Sequence, residues 1–269
     1  MTESILTART FLFVPGHRPD RFAKAAASGA DAVLLDLEDA VAPDRKEAAR
    51  ENVRTWLAEG NEAVVRVNAV GTPWHDDDVA AVAGRARAVM LPKAESHGQI
   101  EELAHRVPAG TGIVPLLETA IGIVQAVAVC GGPAVVRPAF GSVDLAAQIG
   151  VDHRSAEALR HARSALVLAA TATGRGAPID GVTTALDDDA LRTDLDHAVT
   201  LGFTGKLCIH PDQVRPANAA LTPSDREIGW ARRVLEVAVD GSVTVADGQM
   251  IDRPVVLRAR AILARAGEG

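Results

Sequence analysis

The sequence predicts an α/β protein built on a (β/α)8 TIM barrel with a C-terminal helical extension. Short apolar runs alternate eight times with longer amphipathic segments between Thr10 and Ile209, as in a parallel sheet with helical crossovers. Several short runs are almost entirely apolar, as expected for strands covered on both faces. A chain of 269 residues is long enough to close such a barrel as one domain.

The predicted elements follow directly from this alternation. The strands are predicted at residues 10–14, 32–37, 63–67, 88–91, 112–117, 135–140, 178–180 and 206–209. The helices between them are predicted at residues 19–28, 45–59, 76–83, 98–107, 120–130, 156–173 and 188–201. The barrel is therefore assigned to residues 1–211 and the extension to residues 212–269. The extension is predicted to contain helices near 224–239 and 254–266, with a turn region at 240–248.

The composition argues against several classes of protein. The net charge is −7, from 28 Lys and Arg against 35 Asp and Glu, and no basic run is interleaved with aromatic residues, which disfavours a nucleic-acid partner. No apolar run approaches the ~20 residues of a membrane span. The first residues lack the basic and apolar regions of a secretory signal. Cys130 and Cys208 lack a metal-binding spacing, which predicts a reduced, cytoplasmic compartment.

Two carboxylates, Glu118 and Asp144, follow successive apolar runs that are separated by one helical segment. If both runs are parallel strands, the two acids emerge at the same edge of the sheet, where they repel each other unless a cation lies between them. A hard divalent ion with oxygen ligands meets this need; Mg2+ is the predicted ion, and Mn2+ also accepts such ligands. The alternative is that each acid begins a helix.

In a (β/α)8 barrel the chemistry collects at the C-terminal ends of the strands. Arg66 lies in such a position between valines, and a buried arginine there needs a carboxylate or an anionic ligand as its partner. Asp36, Glu38 and Asp39 lie at the C-terminal end of the second predicted strand. Because alternate residues of a strand point oppositely, one or two of them are predicted to accept from Arg66 or from metal-bound water. Asp36 could instead be a structural partner of Lys46 or Arg50 in the following helix.

Four other strand-end residues are candidates for the mouth of the barrel. Lys93 could contact an acid there or pair with Glu95 or Glu118. His210 could line the mouth or serve as a hydrogen-bonded structural histidine. Asp180 ends the seventh predicted strand. Gly141 is predicted to let the backbone amides after the sixth strand approach a substrate carboxylate.

Segments spread in order along nearly the whole chain carry a resemblance to a known family. They are RTFLFVPGHRPDRFAKA, SGADAVLLDLEDAV, RKEAAR, VVRVN, VMLPKAES, LLETAIG, FGSVDLA, GFTGKLCIHPDQV and WARRVL. The chain resembles the citrate lyase beta-subunit-like proteins of the HpcH/HpaI aldolase superfamily. The resemblance implies a homotrimer or hexamer, with the extension packed on the barrel and on a neighbouring subunit. It also implies a Mg2+-dependent Claisen-type reaction of coenzyme A thioesters of 3-hydroxy acids.

The resemblance further implies roles for individual residues. Glu118 and Asp144 would hold the metal, and Arg66 would bind the substrate and stabilise an enolate. The segment that contains Arg18 and Lys24 would border the coenzyme A site, where these two side chains are candidate phosphate contacts.

The family also inserts an acid into the active site of the neighbouring subunit, and Asp252 in GQMIDRPVV matches it. Asp252 would exchange a proton with the enolate carbon. The chain departs from the family at Val143, where a Glu often precedes the second metal ligand. No histidine clearly matches the catalytic His–Asp pair of the superfamily's pyruvate aldolases, which favours acyl-CoA lyase chemistry over aldol cleavage of free acids.

The sequence thus predicts a Mg2+-dependent carbon–carbon lyase acting on a short 3-hydroxyacyl-CoA such as citramalyl-CoA or malyl-CoA. Its products would be acetyl-CoA and a 2-oxo acid, either pyruvate or glyoxylate. One alternative is the beta subunit of a multi-component citrate lyase, acting on an acyl-carrier-protein thioester. Another is a non-catalytic barrel that binds CoA esters as a scaffold, a role that the intact Arg66, Glu118 and Asp144 disfavour.

Overall fold

The computed structural model describes residues 3–238, 244–246 and 249–268. Eight parallel strands follow one another around a closed barrel, and β1 pairs with β8, so the predicted (β/α)8 TIM barrel is confirmed. The strands are β1 (Thr10–Pro15), β2 (Ala32–Asp36), β3 (Val64–Arg66), β4 (Ala88–Leu91), β5 (Gly112–Leu117), β6 (Ala139–Phe140), β7 (Ile179–Asp180) and β8 (Gly205–Cys208).

Apolar side chains from the predicted runs fill the barrel. Phe11, Leu34, Met90 and Val114 in this core are fully buried. Strands β2, β4 and β5 are buried at every position, as expected for strands with helices outside and side chains inside. Because the strands are parallel, their C-terminal ends and the loops that follow them form one mouth of the barrel.

Helices precede, connect and follow the strands. They are α1 (Glu3–Thr7), α2 (Phe22–Ala26), α3 (Lys46–Ala58), α4 (His75–Val82), α5 (His97–Arg106), α6 (Ala120–Val124), α7 (Ala126–Cys130), α8 (Ser142–Ile149), α9 (Ala156–Ala172), α10 (Asp188–Leu201), α11 (Val214–Leu221), α12 (Asp225–Val237) and α13 (Arg253–Arg265). Local sequence signals set several ends. Ser96 and Gln99 form a capping box at the start of α5, and Gly202 ends α10 with a φ of 102°.

Three elements near the predicted metal ligands differ from the sequence prediction. The sixth strand is shortened to β6, which begins directly after Pro138, a residue without a backbone N–H. The predicted helix at 120–130 is divided at Gln125 into α6 and α7. Helix α8 was not predicted, and it places Asp144 in its first turn.

The chain divides into two compact units, Met1–Asn218 and Ala219–Gly269, whereas the predicted domains meet between residues 211 and 212. The second unit contains α12, the antiparallel strands β9 (Thr244–Ala246) and β10 (Gln249–Ile251), and α13. The predicted turn region at 240–248 lies partly outside the described residues, and its described part is β9. The expected packing of this extension on the barrel and on a neighbouring subunit stays a prediction.

Among the residues that the structure describes, no helix combines the length and the apolar character needed to cross a membrane.

Candidate active site at the C-terminal mouth of the barrel

A cavity of about 850 Å³ lies at the C-terminal mouth of the barrel. Apolar side chains from the strands, including Leu12, Phe13, Leu116, Phe140 and Leu207, form part of its wall. Its charged and titratable lining residues are Asp20, Arg21, Lys24, Asp36, Asp39, Arg66, Glu118, Asp144 and His210. The cavity therefore combines an apolar wall with a concentration of ionisable groups, which is the usual composition of a small-molecule site.

Arg66 is held by carboxylates, as the sequence predicts. Its Nε and Nη2 donate to Asp36 Oδ1 and Oδ2 at 2.7 and 2.8 Å, and its Nη1 lies 3.0 Å from Glu38 Oε2. The guanidinium also lies over the Phe13 ring, 4.8 Å from its centroid. Burial favours the neutral guanidine, but Asp36 and Glu38 outweigh it, so the pKa of Arg66 is raised. Arg66 is a fixed positive charge facing the cavity.

Asp36 is the last residue of β2, and Glu38 and Asp39 lie in the loop that follows it. Asp36 and Glu38 both contact Arg66, whereas the side chain of Asp39 is 61% exposed at the edge of the cavity. The alternative partner for Asp36 in the following helix is wrong. Lys46 of that helix donates instead to the carbonyl oxygens of Leu37 and Glu38, at 2.8 and 2.7 Å, and thereby fixes the backbone from which Glu38 projects.

Glu118 and Asp144 lie on neighbouring elements, as predicted. Glu118 directly follows β5 and is buried, while Asp144 in α8 is half-exposed, with 41% of its side chain accessible. Lys93 lies between them, with Nζ 3.9 Å from Glu118 Oε1 and 3.8 Å from Asp144 Oδ2. Burial and the nearby carboxylates of Glu38 and Asp144 raise the pKa of Glu118 to about 8, although Arg66 and Lys93 oppose the shift. A further cation beside Glu118 would favour its ionised form.

The donor set suits a hard cation. The oxygens of Glu118 and Asp144 are the ligands that Mg2+ prefers, whereas Zn2+ sites usually contain nitrogen or sulfur. No group of three His, Cys, Asp or Glu side chains within the described ranges forms a metal-holding cluster. A Mg2+ ion held here would therefore take its remaining ligands from water and substrate, as this ion commonly does.

Gly141 also has a steric role beside Glu118, while the predicted approach of the following amides to a substrate carboxylate stays a prediction. A Cβ at this position would lie 2.3 Å from Glu118 Cβ and 2.6 Å from Glu118 Oε2, closer than van der Waals contact permits. The Gly141 N–H donates to the carbonyl of Leu117 at 3.0 Å. Gly141 therefore leaves room for the Glu118 side chain, and its own amide is engaged in the barrel.

The exposed edge of the cavity carries two basic side chains, Arg21 and Lys24. Of the two predicted phosphate contacts, Lys24 thus lies at the cavity, whereas Arg18 donates to both carboxylate oxygens of Asp20 at 2.9 and 2.8 Å. Sequence reasoning missed Arg21. Its spacing of three residues from Lys24 places both on one helical face, and this spacing is the signal that could have identified it.

The two remaining strand-end residues have different surroundings. His210 lines the cavity, and its Nδ1 also accepts from the backbone N–H of Asp212 at 3.3 Å. It therefore both lines the mouth and is a hydrogen-bonded structural histidine. Asp180 is fully buried, with its two oxygens 2.9 Å from Arg163 Nε and 2.8 Å from Lys206 Nζ. Asp180 is therefore part of a buried ion cluster.

Asp252 caps a helix of the second unit. Its Oδ1 accepts from the backbone N–H of Val255, at 3.3 Å, at the start of α13. This is the ordinary role of an aspartate at a helix N-terminus. The predicted proton exchange in a neighbouring active site stays a prediction.

The fold and the charged cavity at its mouth place the chain among the (β/α)8-barrel enzymes. The sequence model of the HpcH/HpaI aldolase/citrate lyase family matches residues 9–211. A citrate lyase subunit beta-like protein of Mycobacterium tuberculosis is 42% identical over 267 residues, which are 96% of this chain and 95% of that protein. The chain therefore belongs to the HpcH/HpaI aldolase/citrate lyase family, and it is a lyase.

Two further similarities bear on ligands. A (3S)-malyl-CoA thioesterase of Cereibacter sphaeroides is 34% identical over 270 residues, which are 96% of this chain and 94% of that protein. The crystal structure of CitE from Mycobacterium tuberculosis in complex with magnesium, acetoacetate and coenzyme A matches with a TM-score of 0.82 and 39% identity. That match covers 98% of this chain and 100% of the CitE chain.

Proposed function

We propose that the chain is a Mg2+-dependent lyase that cleaves, or forms, a short 3-hydroxyacyl-CoA thioester such as citramalyl-CoA or malyl-CoA. Cleavage would give acetyl-CoA and pyruvate or glyoxylate. The observation that carries this proposal is a single cavity with Arg66, Glu118 and Asp144 on its wall and Arg21 and Lys24 at its edge. The magnesium and coenzyme A of the similar CitE structure, and the malyl-CoA relative, support the same ligands.

In the proposed site, Glu118 and Asp144 would hold Mg2+, which when bound supplies Lewis-acid polarisation of the 2-oxo acid's oxygens. During cleavage the substrate hydroxyl passes its proton to solvent water, the C2–C3 bond breaks, and the hydroxyl carbon becomes the carbonyl carbon of the 2-oxo acid. The electron pair of that bond passes to the thioester fragment as an enolate. Arg66 supplies fixed positive charge to the enolate oxygen without proton transfer. The enolate carbon then takes up a proton, in this proposal from Asp252 of the partner subunit, and acetyl-CoA forms.

The decisive experiment incubates the purified protein alone with malyl-CoA and citramalyl-CoA, in Mg2+ or in excess EDTA, and quantifies every product. We expect metal-dependent release of acetyl-CoA and an equal amount of 2-oxo acid. Arg66→Gln, which keeps the metal ligands, serves as the control for contaminating activity. Failure of the wild-type protein to release acetyl-CoA from any short 3-hydroxyacyl-CoA contradicts the proposal.

The other candidate functions give different outcomes when an acyl-carrier-protein thioester is added to this experiment as a further substrate. Free CoA and malate would indicate thioester hydrolysis, the reaction in the name of the Cereibacter sphaeroides relative. Turnover of an acyl-carrier-protein thioester alone would indicate a citrate lyase subunit, the name of a Leuconostoc mesenteroides relative that is 34% identical over 281 residues. Binding of CoA esters with no turnover would indicate a scaffold.

The proposal includes a cytoplasmic homotrimer or hexamer in which active sites are shared. Light scattering tests the oligomeric state directly. If Asp252 acts across subunits, mixing inactive Asp252→Ala chains with inactive Arg66→Ala chains should restore part of the activity. The absence of recovery in verified mixed oligomers contradicts the shared site.

A further inference from the structure

Lys93, which lies two residues after β4, has an uncommon backbone conformation. Its φ is 49°, in the left-handed region that residues with a side chain seldom adopt. Among the non-glycine residues of the described segments, it shares a positive φ only with Ala134. Strained backbone conformations of this kind are common at functional sites, where they place particular groups of the residue.

The conformation directs two groups of Lys93 at the same set of carboxylates. Its backbone N–H donates to Glu118 Oε1 at 2.9 Å. Its Nζ donates to Glu38 Oε1 at 2.5 Å and lies within 4 Å of oxygens of Asp39, Glu118 and Asp144. One residue therefore contacts both proposed metal ligands and the acid that also faces Arg66.

The charges around this ammonium do not cancel. Asp36, Glu38, Asp39, Glu118 and Asp144 contribute five carboxylates, and Asp36 and Glu38 occupy the Arg66 guanidinium. Without Lys93, the buried Glu38 would lose the donor to Oε1 and would be a third carboxylate close to Glu118. Lys93 thus keeps Glu38 engaged, and its positive charge repels a divalent ion bound at the Glu118–Asp144 pair.

We propose that Lys93 is a positioning residue that holds Glu38 away from the metal and limits the cation affinity of the Glu118–Asp144 pair. This inference rests on the proposed function. A metal with two carboxylate ligands is less neutralised, and so a stronger Lewis acid, than one with three. Loss of the ammonium should therefore tighten metal binding and slow turnover. It should favour Ca2+ more than Mg2+, because Ca2+ accepts more ligands and a less regular geometry.

The test is calorimetric titration of wild-type protein, Lys93→Met and Lys93→Arg with MgCl2 and with CaCl2, at one pH and ionic strength. We expect Lys93→Met to bind Mg2+ at least about threefold more tightly and Ca2+ more tightly still, since a repelling charge is removed. Turnover should fall at least about tenfold. Lys93→Arg, which keeps the charge, should retain Mg2+ affinity close to the wild-type value. Arg192→Met, the same charge change on an exposed side chain of α10, should leave Mg2+ affinity unchanged.

Lys93→Gly is a second variant without the ammonium. Because glycine adopts a positive φ without strain, this variant tests loss of the charge without disturbing the backbone. Unchanged or weaker Mg2+ binding in a folded Lys93→Met or Lys93→Gly variant overturns the inference. Wild-type protein that neither binds Mg2+ nor cleaves a CoA ester would instead contradict the proposed function. The Mg2+ titrations, together with the cleavage assay, therefore distinguish failure of this inference from failure of the proposed function.

Discussion

Asp36 and Arg66 form a two-point ion pair between adjacent strands, with Nε 2.7 Å from Oδ1 and Nη2 2.8 Å from Oδ2. The two residues are register partners in the β2–β3 pairing, and Asp36 is fully buried. The pair fixes both the charge and the orientation of the guanidinium, because planar two-point contacts restrict rotation. The proposed chemistry at Arg66 therefore depends on Asp36, which orients the guanidinium but takes no part in the proposed reaction itself.

Asp36→Asn should weaken both folding and turnover. Breaking one partner of a buried pair typically costs about 3–5 kcal/mol of the free energy of unfolding, and a misplaced catalytic group costs about 100-fold in rate. Urea unfolding and product release measure the two effects. The control is Asp189→Asn, whose side chain is 83% exposed, and it should change stability by no more than about 0.5 kcal/mol. Full activity in folded Asp36→Asn would show that the ion pair does not orient Arg66.

Gly141→Ala should displace the Glu118 side chain, because the new methyl group would lie 2.3 Å from Glu118 Cβ. We expect Mg2+ affinity to fall by about 10-fold or more, in the range known for groups that orient metal ligands. Calorimetric titration with MgCl2 measures this loss. Gly98→Ala in α5 is the matched control, since the added Cβ would meet its nearest neighbour, Ser96 Oγ, at 3.9 Å. Equal Mg2+ affinities in the two variants would contradict the steric argument.

Arg21 and Lys24, rather than Arg18, are expected to attract the phosphates of a CoA thioester. The double change Arg21→Ala and Lys24→Ala should raise KM for the CoA ester by about 10-fold or more, since hydrogen bonds to charged groups contribute about 1.5–3 kcal/mol each. It should also reduce the dependence of KM on salt. Arg18→Ala should change KM by less than about threefold, because the exposed Arg18–Asp20 pair contributes little. A larger effect of Arg18→Ala would restore the original sequence prediction.

Asp180 is expected to contribute to stability in a pH-dependent way. Burial opposes its ionisation, but Lys206 and Arg163 outweigh burial, so the pKa of Asp180 lies below its ordinary value. The stabilisation is therefore present above the unfolded pKa of about 3.9 and is lost as the pH falls through the lower folded value. Asp180→Asn should destabilise the protein by about 3–5 kcal/mol at pH 7, and by less in acid, because the nearest carboxylate left to the buried Lys206 is that of Asp194, whose Oδ2 lies 4.0 Å from Nζ.

The double variant Asp180→Asn with Lys206→Met should recover much of this loss, because the buried ammonium is then removed together with the carboxylate that it contacts most closely. Urea unfolding at pH 7 and at pH 3 measures the stability of the wild type and of both variants. A difference between wild type and Asp180→Asn that does not shrink at low pH would show that the stability effect is not ionic.

The sequence correctly predicted the barrel and the main charged groups of the site, because both follow from short local patterns in the sequence. Apolar runs that end in a charged residue predict buried strands, and parallel strands present their ends at one mouth. Arg66, Glu118 and Asp144 were located in this way. Helix α8 was missed because Asp144 was interpreted as the end of a strand, while it lies in the first helical turn after β6.

Sequence alone determined the strand order, the family resemblance and several of the charged residues near the mouth, since these depend on periodicity and on motifs. Only the tertiary structure decided which charges pair: Asp36 with Arg66, Arg18 with Asp20, and Lys93 with Glu38. Several equivalent acids and bases compete at this mouth, and the sequence does not rank them. The distances between strands and the left-handed φ of Lys93 determine which acid pairs with which base. Ion pairing depends on separations of a few ångströms, which no local sequence pattern encodes.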